Sequence, residues 1–142
     1  MEITNIAYDS PEYRKMTNFR YEILRKPLGL TFSESDLRKE KDDVFITCCE
    51  EEKIIGCCIL TKQNSNVVKL RQMAVLPERQ GEGLGKKIVS FAEQYAMKNG
   101  YLNIVLHARE TAAGFYLKCS YSQVGETFIE IGIPHVLMEK KM

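Results

Sequence analysis

The sequence predicts one mixed α/β domain of the α+β kind, with at least one parallel pairing in its sheet. Three observations carry this. Strand and helix patterns alternate after position 67, and joining parallel strands requires such a crossover. Two helical patterns and a hairpin pattern precede that point. Finally, the 142 residues contain no repeat, low-complexity tract or linker, and a chain of this length can bury its own core. A single domain over residues 1–142 is expected.

Ile3, Ile6 and Tyr8 mark a short first strand, closed by the turn-forming Asp9-Ser10-Pro11. A helix follows, with Ser10 as cap and Pro11 at its first position. Tyr13, Met16, Phe19, Ile23 and Leu24 supply its apolar spacing until Pro27 and Gly29 end it. A short polar helix over about 33–40 takes Ser33 or Ser35 as its cap. Val44 to Cys49 and Lys53 to Leu60 are rich in β-branched residues and should pair as an antiparallel hairpin around the acidic turn Glu51-Glu52. A two-residue turn there would set position 48 opposite 55 and 46 opposite 57.

After the turn Asn64-Ser65-Asn66, the strand pattern from Val67 to Val75 contains an irregularity. Val68 and Leu70 share one parity, whereas Met73 and Val75 take the other. A β-bulge produces such a one-residue slip, bending the strand and releasing backbone groups from the ladder. A strand buried on both faces is the alternative. From Gly83 onward Leu84, Ile88, Phe91, Ala92 and Tyr95 follow a helical period, ended by Asn99-Gly100. Tyr101 to His107 is another strand, and Ala112, Phe115, Tyr116 and Cys119 form the stripe of a short helix. Ser122–Val124 and Val136–Met138 are strand-like, around an expected loop that contains Gly132-Ile133-Pro134.

Composition excludes several classes of function. The net charge of +1 comes from interspersed residues, leaving no electrostatic footprint for nucleic acid or an anionic membrane. No stretch approaches the ~20 apolar residues of a spanning helix, and the N-terminal residues lack the features of a secretory signal, so a cytoplasmic location is expected. The five cysteines include no Cys-x-x-Cys spacing, and neighbours on a strand face opposite ways. They read as packing residues, and no metal is expected.

Arg79-Gln80-Gly81-Glu82-Gly83-Leu84-Gly85-Lys86-Lys87 is the richest stretch. Glycines admit an anion to the backbone amides, and the following helix presents unpaired N–H groups at the positive end of its dipole. A Walker loop fails because Gln80 replaces its first glycine and Lys87 its hydroxyl. A dinucleotide fingerprint fails because Lys86 occupies its third glycine position. The remaining pattern is Gln/Arg-x-x-Gly-x-Gly/Ala after an apolar strand ending in Val-x-Pro, and Val75-Leu76-Pro77 followed by Gln80 to Gly85 fits it.

In that stretch the sequence resembles the GNAT superfamily of acetyl-coenzyme A dependent N-acetyltransferases. The segment Ala112 to Tyr121 is similar to the superfamily's later Phe-Tyr-x-Lys-x-Gly-Phe element, and Ile133-Pro134-His135 resembles one GNAT subgroup. The resemblance implies a mixed, centrally splayed sheet of about six to seven strands flanked by about four helices. It places a bulge near Met73–Val75, and a V-shaped gap there for the pantetheine arm. It implies that backbone groups of Met73, Ala74 and Val75 bind the pantetheine. Amides across Gln80, Gly81, Glu82, Gly83, Leu84, Gly85 and Lys86 would bind the pyrophosphate of acetyl-CoA, with charge from Arg79 and Lys86. Two positions depart from the pattern. Arg109 stands where many members have asparagine at a pantetheine contact, and Ser120 replaces a glycine, which implies a less tight turn.

Acetyl transfer requires a neutral amine, a polarised carbonyl and a protonated leaving thiolate. The resemblance assigns the leaving-group acid to Tyr116 and the carbonyl polariser to the Val75 N–H. For the base, Glu130, His135 and Glu126 lie in the segment expected over the acceptor, with His107 nearby. His135 is preferred because imidazole titrates near working pH. Arg20 and Arg25, with Glu130 and His135, are expected at the acceptor site, where the arginines fit either an anionic group on the amine or the solvated face of an amphipathic helix. The expected function is direct acetyl transfer to a primary amine. A non-catalytic acyl-CoA binding module is the alternative, and homodimerisation through an edge strand near the C-terminus is open.

Overall fold

The computed structural model describes residues 1–142. Seven strands form one sheet in the order β1-β2-β3-β4-β5-β7-β6. They are β1 (Glu2–Ile6), β2 (Val44–Glu50), β3 (Lys53–Lys62), β4 (Val67–Val75), β5 (Asn103–Arg109), β6 (Ser122–Glu130) and β7 (Ile133–Lys141). Four α-helices accompany them: α1 (Pro11–Arg20), α2 (Glu34–Arg38), α3 (Leu84–Lys98) and α4 (Ala113–Lys118). Only β4 and β5 pair in parallel, and α3 is the crossover between them. No helix is long and apolar enough to cross a membrane.

The sheet has a core on each face. On one, Leu84, Ile88, Ala92 and Ala96 of α3 pack on Val68, Leu70, Ile104 and Leu106. On the other, Tyr13, Met16 and Phe19 of α1 pack on Phe45, Cys57, Ile59 and Ala74. Burying the Val, Leu, Ile, Phe and Met side chains among these contributes about 1.5–3 kcal/mol each. The Ser10 side chain caps α1 by accepting from Tyr13 N, and Ser33 closes a capping box with Asp36 on α2. The first helix leaves the α form after Arg20, runs through a π turn at Tyr21–Arg25, and stops at the left-handed Gly29, φ 70°.

The parity slip in β4 is a bulge. Cys57 pairs with Ala74 and Ile59 with Arg71, so Gln72 and Met73 together face Cys58, with Gln72 at φ 55°. The slip turns Ala74 into the α1 core while Val68 and Leu70 face α3. It lies slightly upstream of the implied Met73–Val75. Pairing of β4 with β5 stops at Leu70↔Leu106, although both strands continue. The sheet is therefore split at its centre.

Three expectations are corrected. A register shift between Cys48 and Cys49 moves the β2–β3 hairpin by one residue, so Cys48 faces Gly56 and Ile46 faces Cys58. The cysteines remain free. The expected loop before Pro134 is instead continuous hairpin, because β6 runs to Glu130 and turns within Ile131-Gly132. Ser120 adopts the left-handed φ of 73° itself, so the turn after α4 stays tight: Tyr121 N donates to Tyr116 O at 3.0 Å.

Candidate active site

The split opens into a cleft of about 1130 Å³ bounded by β4, the glycine turn, β5, α4 and the β6–β7 turn. Antiparallel geometry fixes what β4 presents to it. Leu76 N donates to Ile55 O at 2.9 Å, which makes 55/76 a hydrogen-bonded pair. Val75 opposite Gly56 is then a non-hydrogen-bonded pair, whose N–H and C=O point away from β3. On that side β5 has already departed. The Val75 carbonyl accepts from Gln80 Nε2 at 3.4 Å, and its N–H faces the gap.

At the next turn, Gly81 and Gly83 have φ of 86° and 82°, a region costly for any side chain. Gly83 stands at the cap of α3 and no side chain caps the helix. The N–H groups of its first turn are left for a partner, with the helix dipole behind them. Gly85 serves a packing role, since a Cβ there would lie 3.1 Å from Phe115 Cζ.

Across the gap stands Tyr116, 7% exposed, wedged edge-on between Phe115 and Tyr121. Burial pushes its phenol well above the ordinary value, and the neighbouring Cys58 and Cys119 add to the shift. The hydroxyl stays protonated at any working pH.

On the α1 face, four strands contribute to one cluster. His107 Nδ1 lies 2.9 Å from Glu130 Oε1 and His135 Nε2 lies 3.6 Å from Glu130 Oε2. His135 Nδ1 lies 2.8 Å from Ile133 O, and a carbonyl only accepts, so that nitrogen carries the proton and Nε2 faces the carboxylate. Phe128 stacks beside His135 and meets His107 edge-on. Burial alone would raise the Glu130 carboxyl. The hydrogen bond from His107 and the proximity of His107, His135 and Lys69 outweigh it and hold the group below the usual range.

The acetyltransferase (GNAT) domain family matches residues 10–142. The chain belongs to that family. The uncharacterised protein YyaT of Bacillus subtilis is 40% identical over 77 residues, covering 54% of this chain and 52% of that protein; the shared stretch spans about half of the relative. Among solved structures, an acyl-CoA N-acyltransferase from Pseudomonas aeruginosa superposes with a TM-score of 0.84 at 18% identity, covering 98% of both chains. A GNAT family acetyltransferase from Elizabethkingia anophelis with acetyl-CoA bound gives 0.72 at 17% identity, covering 99% of this chain and 97% of that one. Both share the fold.

Within this GNAT domain Met73, Ala74, Val75, Gln80, Gly81, Gly83, Leu84, Gly85, Lys86, Arg109 and Tyr116 all line the cleft, as do Arg25, Glu130 and His135. Two arginines behave differently from expectation. Arg20 is wholly buried and does not reach the cleft: its Nη1 and Nη2 donate to both Glu40 oxygens at 2.8 and 2.9 Å. It ties α1 to the segment after α2 instead of contacting an acceptor, because the Met16–Phe19 stripe carries it into the core. Arg79 lines the cleft, but its guanidinium donates to both oxygens of Glu50 and to Glu82. Glu82 turns its side chain to Arg79, and Glu126 lies on the exposed stretch of β6. Lys69, Arg71 and Gln72 were not singled out from sequence and belong to the cleft. A lysine and an arginine alternating with Val68 and Leu70 were the available signal.

Proposed function

We propose that this GNAT domain transfers an acetyl group from acetyl-CoA directly to a primary amine, in the cytoplasm. The observation carrying the proposal is the unpaired Val75 N–H at the mouth of the β4–β5 gap, immediately before an uncapped, glycine-led helix N-terminus. The arrangement suits a thioester whose pyrophosphate lies on the amides of Gln80 to Lys86. Lys86, exposed and free of ion pairs, supplies charge there, whereas Arg79 shapes the turn through Glu50 and Glu82. Met73, Ala74 and Arg109 border the pantetheine arm.

The His135–Glu130 pair accepts a proton from the incoming ammonium, directly or through water. The amine lone pair then attacks the carbonyl carbon, and the Val75 N–H donates to the oxyanion, a contact that strengthens as charge develops. As the C–S bond breaks, Tyr116 gives its proton to the departing sulfur, and the second proton shed by the acylated nitrogen restores the phenol. The products are an amide, coenzyme A and one proton. Incubation with acetyl-CoA and a panel of amines, followed by thiol release and product mass, tests this reading. Acetylated amine with stoichiometric thiol supports it; tight coenzyme A binding with no product from any amine favours the binding-module alternative.

A further inference from the structure

The charges around the cleft are one-sided. Arg25, Lys69, Arg71, Arg79, Lys86 and Arg109 line it, against a single acid, Glu130. Glu130 is already committed to His107 and His135. Arg79 is neutralised by two carboxylates, and Arg71 lies 3.5 Å from Asp43 Oδ2 and donates to Thr61 Oγ1. Lys69 and Arg25 have no carboxylate within 4 Å. The nearest polar partner of Lys69 Nζ is His107 Nδ1 at 3.4 Å. That nitrogen must carry its proton to donate to the Glu130 carboxylate, so it offers the ammonium no lone pair. Arg25 lines the cleft with its guanidinium carbon 4.6 Å from the Phe32 ring centroid.

Burial disfavours the Lys69 ammonium and lowers its pKa, with only partial compensation from Glu130 beyond contact distance. An anion in the cleft would relieve it. The phosphates of the donor are on the wrong face for this task. Lys69 and Arg71 share a parity, and Arg71 faces Ile59 of the α1 core. The glycine turn opens α3, which packs against the opposite face. Lys69 and Arg25 therefore address whatever enters from the α1 side.

We propose that the acceptor is a small amine bearing an anionic group, a carboxylate or a phosphate, held by Lys69 and Arg25 while its ammonium end lies toward Glu130 and His135. The single acid and the unpaired cations together match an acceptor with both signs of charge, and they repel a polycation. This rests on the acetyltransferase reading for the word acceptor, but the anion site itself does not.

Titration of the full chain with inorganic phosphate and with β-alanine, followed through the histidine ring resonances by NMR, tests the site without turnover. At least one ligand should shift His107 in the wild type, and Lys69→Gln should need roughly 10-fold more of it. Arg25→Gln, on a different element, should weaken the response in the same direction and guards against a folding defect in the first variant. Response to phosphate alone assigns a phosphorylated acceptor; response to β-alanine alone assigns a carboxylated one. A His107 resonance unmoved by both, or moved equally in wild type and Lys69→Gln, overturns the proposal. Coenzyme A titrated into the same samples separates the two claims, since absent coenzyme binding with an intact His107 response would sink the donor assignment and leave the anion site standing.

Discussion

At one end of the cleft the groups on offer are backbone amides from one continuous stretch, Val75 to Lys86. At the other, side chains from β4, β5, β6 and β7 converge as Lys69, His107, Glu130 and His135. The first end depends on local conformation: a bulge, two left-handed glycines and a helix without a cap. The second depends on topology, because β7 inserts between β5 and β6 and brings the chain's last hairpin beside β5. Backbone sites of the first kind suit a ligand part that is constant, and side-chain sites can be changed singly without disturbing the fold.

If the two ends are separable, substitutions should affect donor binding, acceptor use and stability independently. The largest effect is expected at their junction. Tyr116→Phe should lower kcat by roughly 10²–10⁴-fold with the acetyl-CoA Kd unchanged; steady-state kinetics with calorimetry checks both, and unchanged turnover would remove the residue's role as acid. Glu40→Gln leaves the Arg20 guanidinium buried without its counter-ion, an imbalance of about 3–5 kcal/mol. Denaturant melts should show this loss, while acceptor preference of the remaining folded protein stays the same. A changed preference would return Arg20 to the acceptor site.

Gly83→Val places a side chain at φ 82°, a strain of about 1–2 kcal/mol that displaces the amides ahead of α3. Acetyl-CoA should bind roughly 10- to 100-fold more weakly, with the His107 response to anions preserved. Loss of both would mean that the ends are mechanically coupled. Glu130→Gln sharpens the acceptor end through pH. Its folded pKa is depressed, so the stability it contributes is complete above the ordinary glutamate value near 4.3 and is lost as pH falls through the folded value. Thermal melts of wild type and Glu130→Gln should converge in acid; a gap that widens on acidification contradicts the arrangement. The smallest effect belongs to Ser120→Gly, which relieves a left-handed serine and should add about 0.5–1 kcal/mol, or about 2–4 °C in Tm, with activity unchanged.

The contrast between the ends also explains what could be read from sequence. The bulge announced itself as a parity slip, and the α3 helix and glycine turn as a contiguous pattern. Both are local. The length of β6 was hidden because it is an edge strand exposed through Thr127, so Gln123, Glu126 and Thr127 carry no apolar alternation to mark it. Arg20 is misplaced at the acceptor site because a cation beside an apolar stripe reads as open to solvent or ligand unless its partner is known, and Glu40 lies twenty residues away. Lys69 escaped for a related reason. Its meaning depends on His107 and Glu130, which approach only through the sheet order.

The placement of the donor in the β4–β5 gap is tested most directly by the backbone amide NMR spectrum during titration with acetyl-CoA. Saturation should shift the Val75 amide together with those of Gln80 to Lys86, and leave the turn at Asn64–Asn66, beyond the opposite end of β4, unmoved. Binding that saturates while Val75 and the glycine turn keep their free positions would contradict it.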